Sequence, residues 1–336
     1  MLVDTYNREL TYLRVSLTDK CNLRCRYCMP PEGVPLLDHD QVLRNEEFIY
    51  LIELFASMGI QKVRFTGGEP LVRRGVVDII SEVRKRLPHL EICITTNGVL
   101  LEKYLAELEY LNVNKLNISL DTLSPSLYRE ITGRDYHSRV LNSIQRAIDA
   151  GVFDVKINAV IQKHTIEELG SFIDYFNDHD VSLRFIERMP VGEIPEMEDD
   201  PFISSDVLLD ALSGLGSVSR STRTDTSVAK MYDFYPSGSD KSMKIGMIPA
   251  MSHKFCSSCN RLRLTCDGAL RTCLHSNSEY DLKKLYRMDA GEKAIREVIT
   301  EAVRNKQKEH CLSCYSDTSR ECCAVTSKRN MSRIGG

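Results

Sequence analysis

The chain has 336 residues, 42% of them hydrophobic and 27% charged, with a formal net charge of −3. That is room for one large domain, or a large and a small one, around a sizeable core, and the near-balanced charge excludes the broad basic footprint of a nucleic-acid binder. The start, MLVDTYNREL, lacks the apolar core of a signal peptide and no run reaches membrane-spanning length, so a cytoplasmic protein with no membrane partner is expected.

Six short β-branched runs read as strands in chain order: Leu10–Leu17, Lys62–Thr66, Glu91–Thr96, Lys115–Leu120, Asp154–Ile161 and Val181–Glu187. Amphipathic helical patterns lie between them, at Glu46–Met58, Val76–Leu87, Leu100–Leu111, Arg139–Ala150 and Ile166–His179. Alternating strands and helices imply parallel β/α units wound into an open sheet or a barrel. In barrels the chemistry sits at the C-terminal ends of the strands, and the chemistry-bearing residues fall there.

After the first strand comes DKCNLRCRYCMP, which places Cys21, Cys25 and Cys28 in a C-x3-C-x2-C pattern with Arg24 and Arg26 between them. A structural zinc site wants four ligands, whereas three thiolates on a four-iron cluster leave one iron open to a small molecule. Three inert buried cysteines are the plain alternative, but the polar neighbours make a poor core segment. After the second strand comes TGGEP, with Gly67 and Gly68 able to approach a ligand closely and Glu69 offering a carboxylate to an amine.

Pro190 to Pro201 is acidic and proline-bearing and reads as a linker, dividing the chain into residues 1–200 and 201–336. A short helix, Ser205–Leu212, follows with Ser204 as its cap, then a loop-like Ser/Thr-rich stretch to Ser227 and strands at Ala229–Tyr235 and Met243–Ile248. In FCSSCNRLRLTCDGALRTCL, Cys256, Cys259 and Cys273 form C-x2-C-x13-C, and the Asp267-Gly268 hairpin signal returns Cys273 towards the other two. Spacing leaves zinc, completed by Cys266 or His275, and a second cluster equally open. Arg261 and Arg263 alternate with leucines, so both leave one strand face, as phosphate or carboxylate recognition requires.

The cysteine loop with its Gly-Gly-Glu turn resembles the radical S-adenosylmethionine (SAM) superfamily. Together with CNRxRLTxDGxLxxCL, TTNG, NISLD, RFIE and the ending MSRIGG, it resembles the GTP 3′,8-cyclase (MoaA) family of molybdenum-cofactor biosynthesis along essentially the whole chain. The resemblance implies an incomplete (β/α)6 barrel whose open side is covered by a smaller α+β C-terminal domain. It implies two 4Fe–4S clusters, one on Cys21, Cys25 and Cys28, the other on Cys256, Cys259 and Cys273. SAM contacts are implied at Tyr27, Gly67, Gly68, Glu69, Ser119 and Met189. GTP contacts are implied at Arg14, Arg64, Thr95, Lys156, Arg261 and Arg263, of which Lys156, Arg261 and Arg263 would serve the reaction; Lys156 could instead be a structural ion-pair partner. The implied chemistry is hydrogen abstraction from the ribose 3′ carbon by a 5′-deoxyadenosyl radical, then attack of the sugar radical on guanine carbon 8.

The same resemblance implies a reductant such as flavodoxin or ferredoxin, a functional link to the next enzyme, cyclic pyranopterin monophosphate synthase, and a terminal Gly335-Gly336 that enters the active-site pocket. A monomer or a homodimer fits equally. Cys311, Cys314, Cys322 and Cys323 stand outside the family pattern, as a third metal site or as incidental thiols of a tail. The rival readings are a radical SAM enzyme that modifies a peptide with an auxiliary cluster, and a non-catalytic iron–sulfur or zinc scaffold.

Overall fold

The computed structural model describes residues 1–192, 201–222, 228–310, 327 and 329–335. Six parallel strands pair in sequence order: β1 (Tyr12–Ser16), β2 (Lys62–Thr66), β3 (Glu91–Thr96), β4 (Lys115–Ser119), β5 (Asp154–Ile161) and β6 (Val181–Glu187). Along each strand one set of alternate side chains is apolar: Leu13 and Val15, Val63 and Phe65, Ile92 and Ile94, Leu116 and Ile118. These join Phe48, Leu51, Ile52 and Phe55 of the helix Asn45–Ser57, and Ile79, Ile80 and Val83 of Val76–Arg86, in one continuous core. Each such side chain contributes roughly 1.5–3 kcal/mol on burial. The other set is polar: Tyr12 and Arg14 on β1, Lys62 and Arg64 on β2, Asn117 and Ser119 on β4. A barrel interior is ordinarily packed with branched apolar residues; this one carries charge, which reserves it for a polar ligand.

The C-terminal part does not form a sheet of its own. Its strands are β7 (Gly216–Arg220), β8 (Lys230–Pro236), β9 (Met243–Ile248), β10 (Arg261–Leu264), β11 (Ala269–Arg271) and β12 (Tyr280–Asp281). They extend both edges of the barrel sheet, giving the order β12-β11-β10-β1-β2-β3-β4-β5-β6-β9-β8-β7. β10 runs parallel to β1 and β9 parallel to β6. Thus Cys259 and Cys273, at the ends of added strands, come to the same interior as the first cysteine loop.

Four local expectations need correction. The Ser/Thr-rich stretch expected as loop contains β7, which pairs antiparallel with β8 and sets Val218 opposite Phe234; as an outermost strand it needs little apolar patterning. Ser204 makes no side-chain cap; the Ser205 amide at the start of the helix Ser205–Ser213 donates to Glu187 instead, at 2.8 Å. The helix expected over Ile166–His179 starts earlier and is two pieces, Lys163–Glu167 and Leu169–Phe176, because Gln162 and Thr165 form a reciprocal cap that begins it upstream. Likewise Leu100–Leu111 divides into a 3-10 turn, Leu101–Tyr104, and a helix, Leu105–Tyr110. Residues 193–200 of the expected linker lie outside the described residues, as do Cys311, Cys314, Cys322 and Cys323.

Candidate active site

The Gly-Gly-Glu turn is stitched to the start of the cysteine loop. The Gly68 amide donates to the Thr18 carbonyl at 2.7 Å and the Glu69 amide to the Lys20 carbonyl at 2.8 Å. A Cβ on Gly67 would stand 2.6 Å from the Thr18 oxygen, and one on Gly68 would stand 2.4 Å from the Lys20 oxygen. Close approach is therefore required of both glycines, but by the backbone of Thr18 to Lys20 rather than by a ligand alone. Glu69 is buried and accepts from the Leu71 amide (3.0 Å), Thr96 Oγ1 (2.8 Å) and the Asn97 amide (2.7 Å). Burial outweighs those bonds and lifts its pKa to about 7.

Cys21, Cys25 and Cys28 line one end of a single cavity of about 390 Å³. Burial pushes the Cys21 thiol up to about 11 and the Cys28 thiol to about 12. As thiolates they need a cationic centre, and soft thiolate sets select iron–sulfur clusters or zinc. The sulfurs already collect N–H donors: Cys21 Sγ from the Leu23 amide at 3.4 Å and, more weakly, Asn97 Nδ2 at 3.8 Å, and Cys28 Sγ from the Ser332 amide. Among the described residues no group of three or more His, Cys, Asp or Glu could hold a single metal ion. Ligands of a four-iron cluster each meet a different iron and need not converge; the donor set fits such a cluster.

Every site residue inferred from the sequence except Lys156 lines this one cavity: the six cysteines, Tyr27, Gly67, Gly68, Glu69, Ser119, Met189, Arg14, Arg64, Thr95, Arg261 and Arg263. Strand register explains why. Arg263 on β10 stands opposite Arg14 on β1, which stands opposite Arg64 on β2, three guanidinium-bearing positions on adjacent strands in one row. Two positions earlier, on the same face, Arg261 and Lys62 flank Tyr12 in a second row. Like charges directly opposite in a sheet destabilise it, and an anion between them relieves that repulsion. Burial, then Arg14 and Arg261, draws Arg263 well below the usual arginine range. Arg64 is steadied by the Tyr12 hydroxyl at 2.7 Å and the Ile94 carbonyl at 3.0 Å. Lys156 shares a face of β5 with Asn158 and Val160, which line the cavity, but its ammonium pairs with Asp154.

At the second triad, Cys256, Cys259 and Cys273 line the opposite region of the cavity together with Arg261 and His275. Burial would raise the Cys259 thiol, yet Arg261 and Lys306 hold it down to about 6. Cys266, a potential fourth ligand on spacing, is wholly buried beside Ser16 and Asp19 and does not line the cavity. The tail reaches both centres: Met331 lines the cavity, Ile334 packs with Val191 and Leu274, and Arg263 donates to the Gly335 carbonyl. Gly336 lies outside the described residues.

Sequence reasoning missed several participants. Asp121 accepts from Tyr27 Oη at 2.7 Å and from the Val160 amide at 2.9 Å, fixing the tyrosine beside the first triad. Asn117, Asn158 and Arg184 line the cavity; polar residues alternating with apolar ones on strands four to six were the available signal. Glu187 gathers the amides of Ser205, Met251 and Ser252 at 2.8–2.9 Å and so anchors the C-terminal part to the barrel.

Two family profiles cover most of the chain: that of the Radical SAM superfamily matches residues 15–176 and that of Molybdenum Cofactor Synthesis C matches residues 181–312. A GTP 3′,8-cyclase of Petrotoga mobilis is 41% identical over 100% of both chains. One of Alkaliphilus oremlandii is 41% identical over 99% of both. Among solved structures, Streptococcus suis SuiB bound to S-adenosylmethionine is similar in fold, with a TM-score of 0.58 at 15% identity over 86% of this chain and 68% of its own.

Proposed function

Because the chain belongs to the GTP 3′,8-cyclase family, we propose that it converts GTP to 3′,8-cyclo-7,8-dihydro-GTP, an early step of molybdenum-cofactor biosynthesis, with SAM and two 4Fe–4S clusters as cofactors. The observation that carries this reading is the row Arg263, Arg14 and Arg64 set between two cysteine triads in one cavity. Its excess of cations suits a nucleoside triphosphate, and full-length relatives named for that reaction favour it over a peptide-modifying enzyme.

Cys21, Cys25 and Cys28 would hold the cluster that, with SAM, supplies the hydrogen-abstracting 5′-deoxyadenosyl radical. Tyr27, Gly67, Gly68, Glu69, Ser119 and Met189, which line the same cavity, would hold SAM, with Glu69 the carboxylate for its amine. Arg14, Arg64, Arg261 and Arg263 would hold phosphate and guanine oxygens, with Thr95 beside them. Lys156 joins this set only if substrate draws it from Asp154. Charge-assisted hydrogen bonds contribute roughly 1.5–3 kcal/mol each, and correct placement of the ribose matters steeply for rate. Cys256, Cys259 and Cys273 would hold the second cluster, and Cys266, buried away from the cavity, would not be its fourth ligand.

The same reading includes a flavodoxin- or ferredoxin-type reductant, cyclic pyranopterin monophosphate synthase as the enzyme downstream, a cytoplasmic location and a division of the chain near residue 200. Among the described residues no helix is long and apolar enough to cross a membrane. The test is anaerobic incubation with SAM, dithionite and GTP deuterated at the 3′ ribose carbon. Deuterium should appear in 5′-deoxyadenosine, and Arg261→Ala should nearly stop the transfer. Label left wholly in GTP while SAM is cleaved would mean a different substrate.

A further inference from the structure

Lys306 is 3% exposed, in a chain whose other lysines are all more accessible among the described residues. It is delivered by the helix Gly291–Arg304, whose Ile295, Ile299, Ala302 and Val303 are buried, and its amide still bonds back to the Val303 carbonyl at 3.1 Å. Its ammonium donates to two backbone carbonyls, Arg261 at 3.2 Å and Thr272. Arg261 is two residues past Cys259, and Thr272 directly precedes Cys273. One side chain therefore joins β10 to the turn after β11, the two segments that carry these cysteines.

No carboxylate pairs with Lys306 among the described residues. Burying an ammonium is costly unless an opposite charge answers it, and carbonyl dipoles answer only part. Burial draws its pKa down, and the anions that oppose this are the Cys259 and Cys273 sulfurs. A 4Fe–4S core with three thiolates is a net anion, and one-electron reduction makes it more so. Of the other cations nearby, Arg8 pairs with Asp4 at 2.6 Å, and Arg261 also acts on Cys259, hydrogen-bonding it from a guanidinium 4.7 Å from the Phe255 ring centroid; Arg261 lines the cavity, however, whereas Lys306 is buried behind it.

We propose that Lys306 is a fixed, buried counter-charge of the second cluster, a positioning residue that ties the Cys259 and Cys273 segments together and raises that cluster's reduction potential. This rests on Cys256, Cys259 and Cys273 being the cluster's ligands. Net charge and hydrogen bonding near the sulfurs are what tune such potentials. A buried cation favours the reduced form, so its removal makes the midpoint more negative.

The experiment is iron and sulfide analysis followed by EPR-monitored redox titration of anaerobic wild type, Lys306→Gln and Lys306→Arg. Glutamine keeps a donor for the carbonyls without the charge. It should move the second cluster's midpoint to more negative values, leave the first cluster's where it was, and arginine should restore it. If glutamine loses the second cluster while arginine keeps it, the charge is needed for assembly and the proposal stands. Loss with both variants, or an unmoved midpoint in a glutamine variant holding both clusters, overturns it. A wild type with only one cluster's iron would instead sink the ligand assignment, and this inference with it.

Discussion

The Arg263 guanidinium donates to the carbonyl oxygen of Gly335, so the end of the chain sits on a residue assigned to substrate. Gly335 has φ of +78°, and a Cβ there would lie 2.9 Å from Thr66 Oγ1 and 3.1 Å from Ser16 Cβ. Left-handed backbone costs an L-residue about 1–2 kcal/mol, roughly a ten-fold loss of the docked tail. Gly335→Ala should lower cyclisation about ten-fold with both clusters and the melting temperature retained. Deleting Gly335-Gly336 should abolish cyclisation with folding intact; full activity in the shortened protein would refute the tail's role.

Replacing Cys25 with Ser should leave about half the iron and no SAM cleavage, because the triads sit on separate loops of one cavity. Cys259→Ser should also leave about half, with SAM cleavage surviving. Stoichiometric zinc at Cys256, Cys259 and Cys273 in anaerobic protein would contradict both outcomes.

Folded Glu69 keeps its proton up to about pH 7, whereas the unfolded chain releases it near 4.5. Between those values the folded state binds more protons, so this group's contribution is full below about 4.5 and is lost as pH rises through 7. The span corresponds to about 3 kcal/mol. In cluster-free protein, melting temperature against pH should show this fall in wild type and lack it in Glu69→Gln. An identical slope in the two would show that Glu69 ionises normally.

Glu187→Ala strips acceptors from the amides of Ser205, Met251 and Ser252. Unsatisfied buried donors cost about 1–3 kcal/mol each, so the melting temperature should drop by several degrees, measured by calorimetry. A melt unchanged within a degree would show that those amides find other partners.

The barrel was legible because its signals are local. Glu91–Thr96 and Val181–Glu187 announce themselves by β-branched content, and each triad by its spacing. The row Arg263, Arg14 and Arg64 was only half legible, since periodicity gives the face but not which strands adjoin. That β10 would pair with β1, across about 250 positions of sequence, has no local signature. Lys306 and Asp121 were invisible for the same reason: a single Lys or Asp acquires meaning only from burial and neighbours. The Ser204 hydroxyl makes no cap, while the Ser205 amide finds Glu187, 18 residues away in sequence, a pairing with no local signature.

The placement of β10 and β9 against β1 and β6 has a consequence for biosynthesis. A ribosome completes the six central strands well before it makes either partner, so the nascent sheet carries two unpaired edges at once. Open edges invite pairing with other chains, and the interval lasts until about residue 264 has emerged. Synthesis of this protein should therefore depend on chaperone cover during that interval, and a ribosome stalled in the linker should release an aggregating fragment rather than a free-standing barrel.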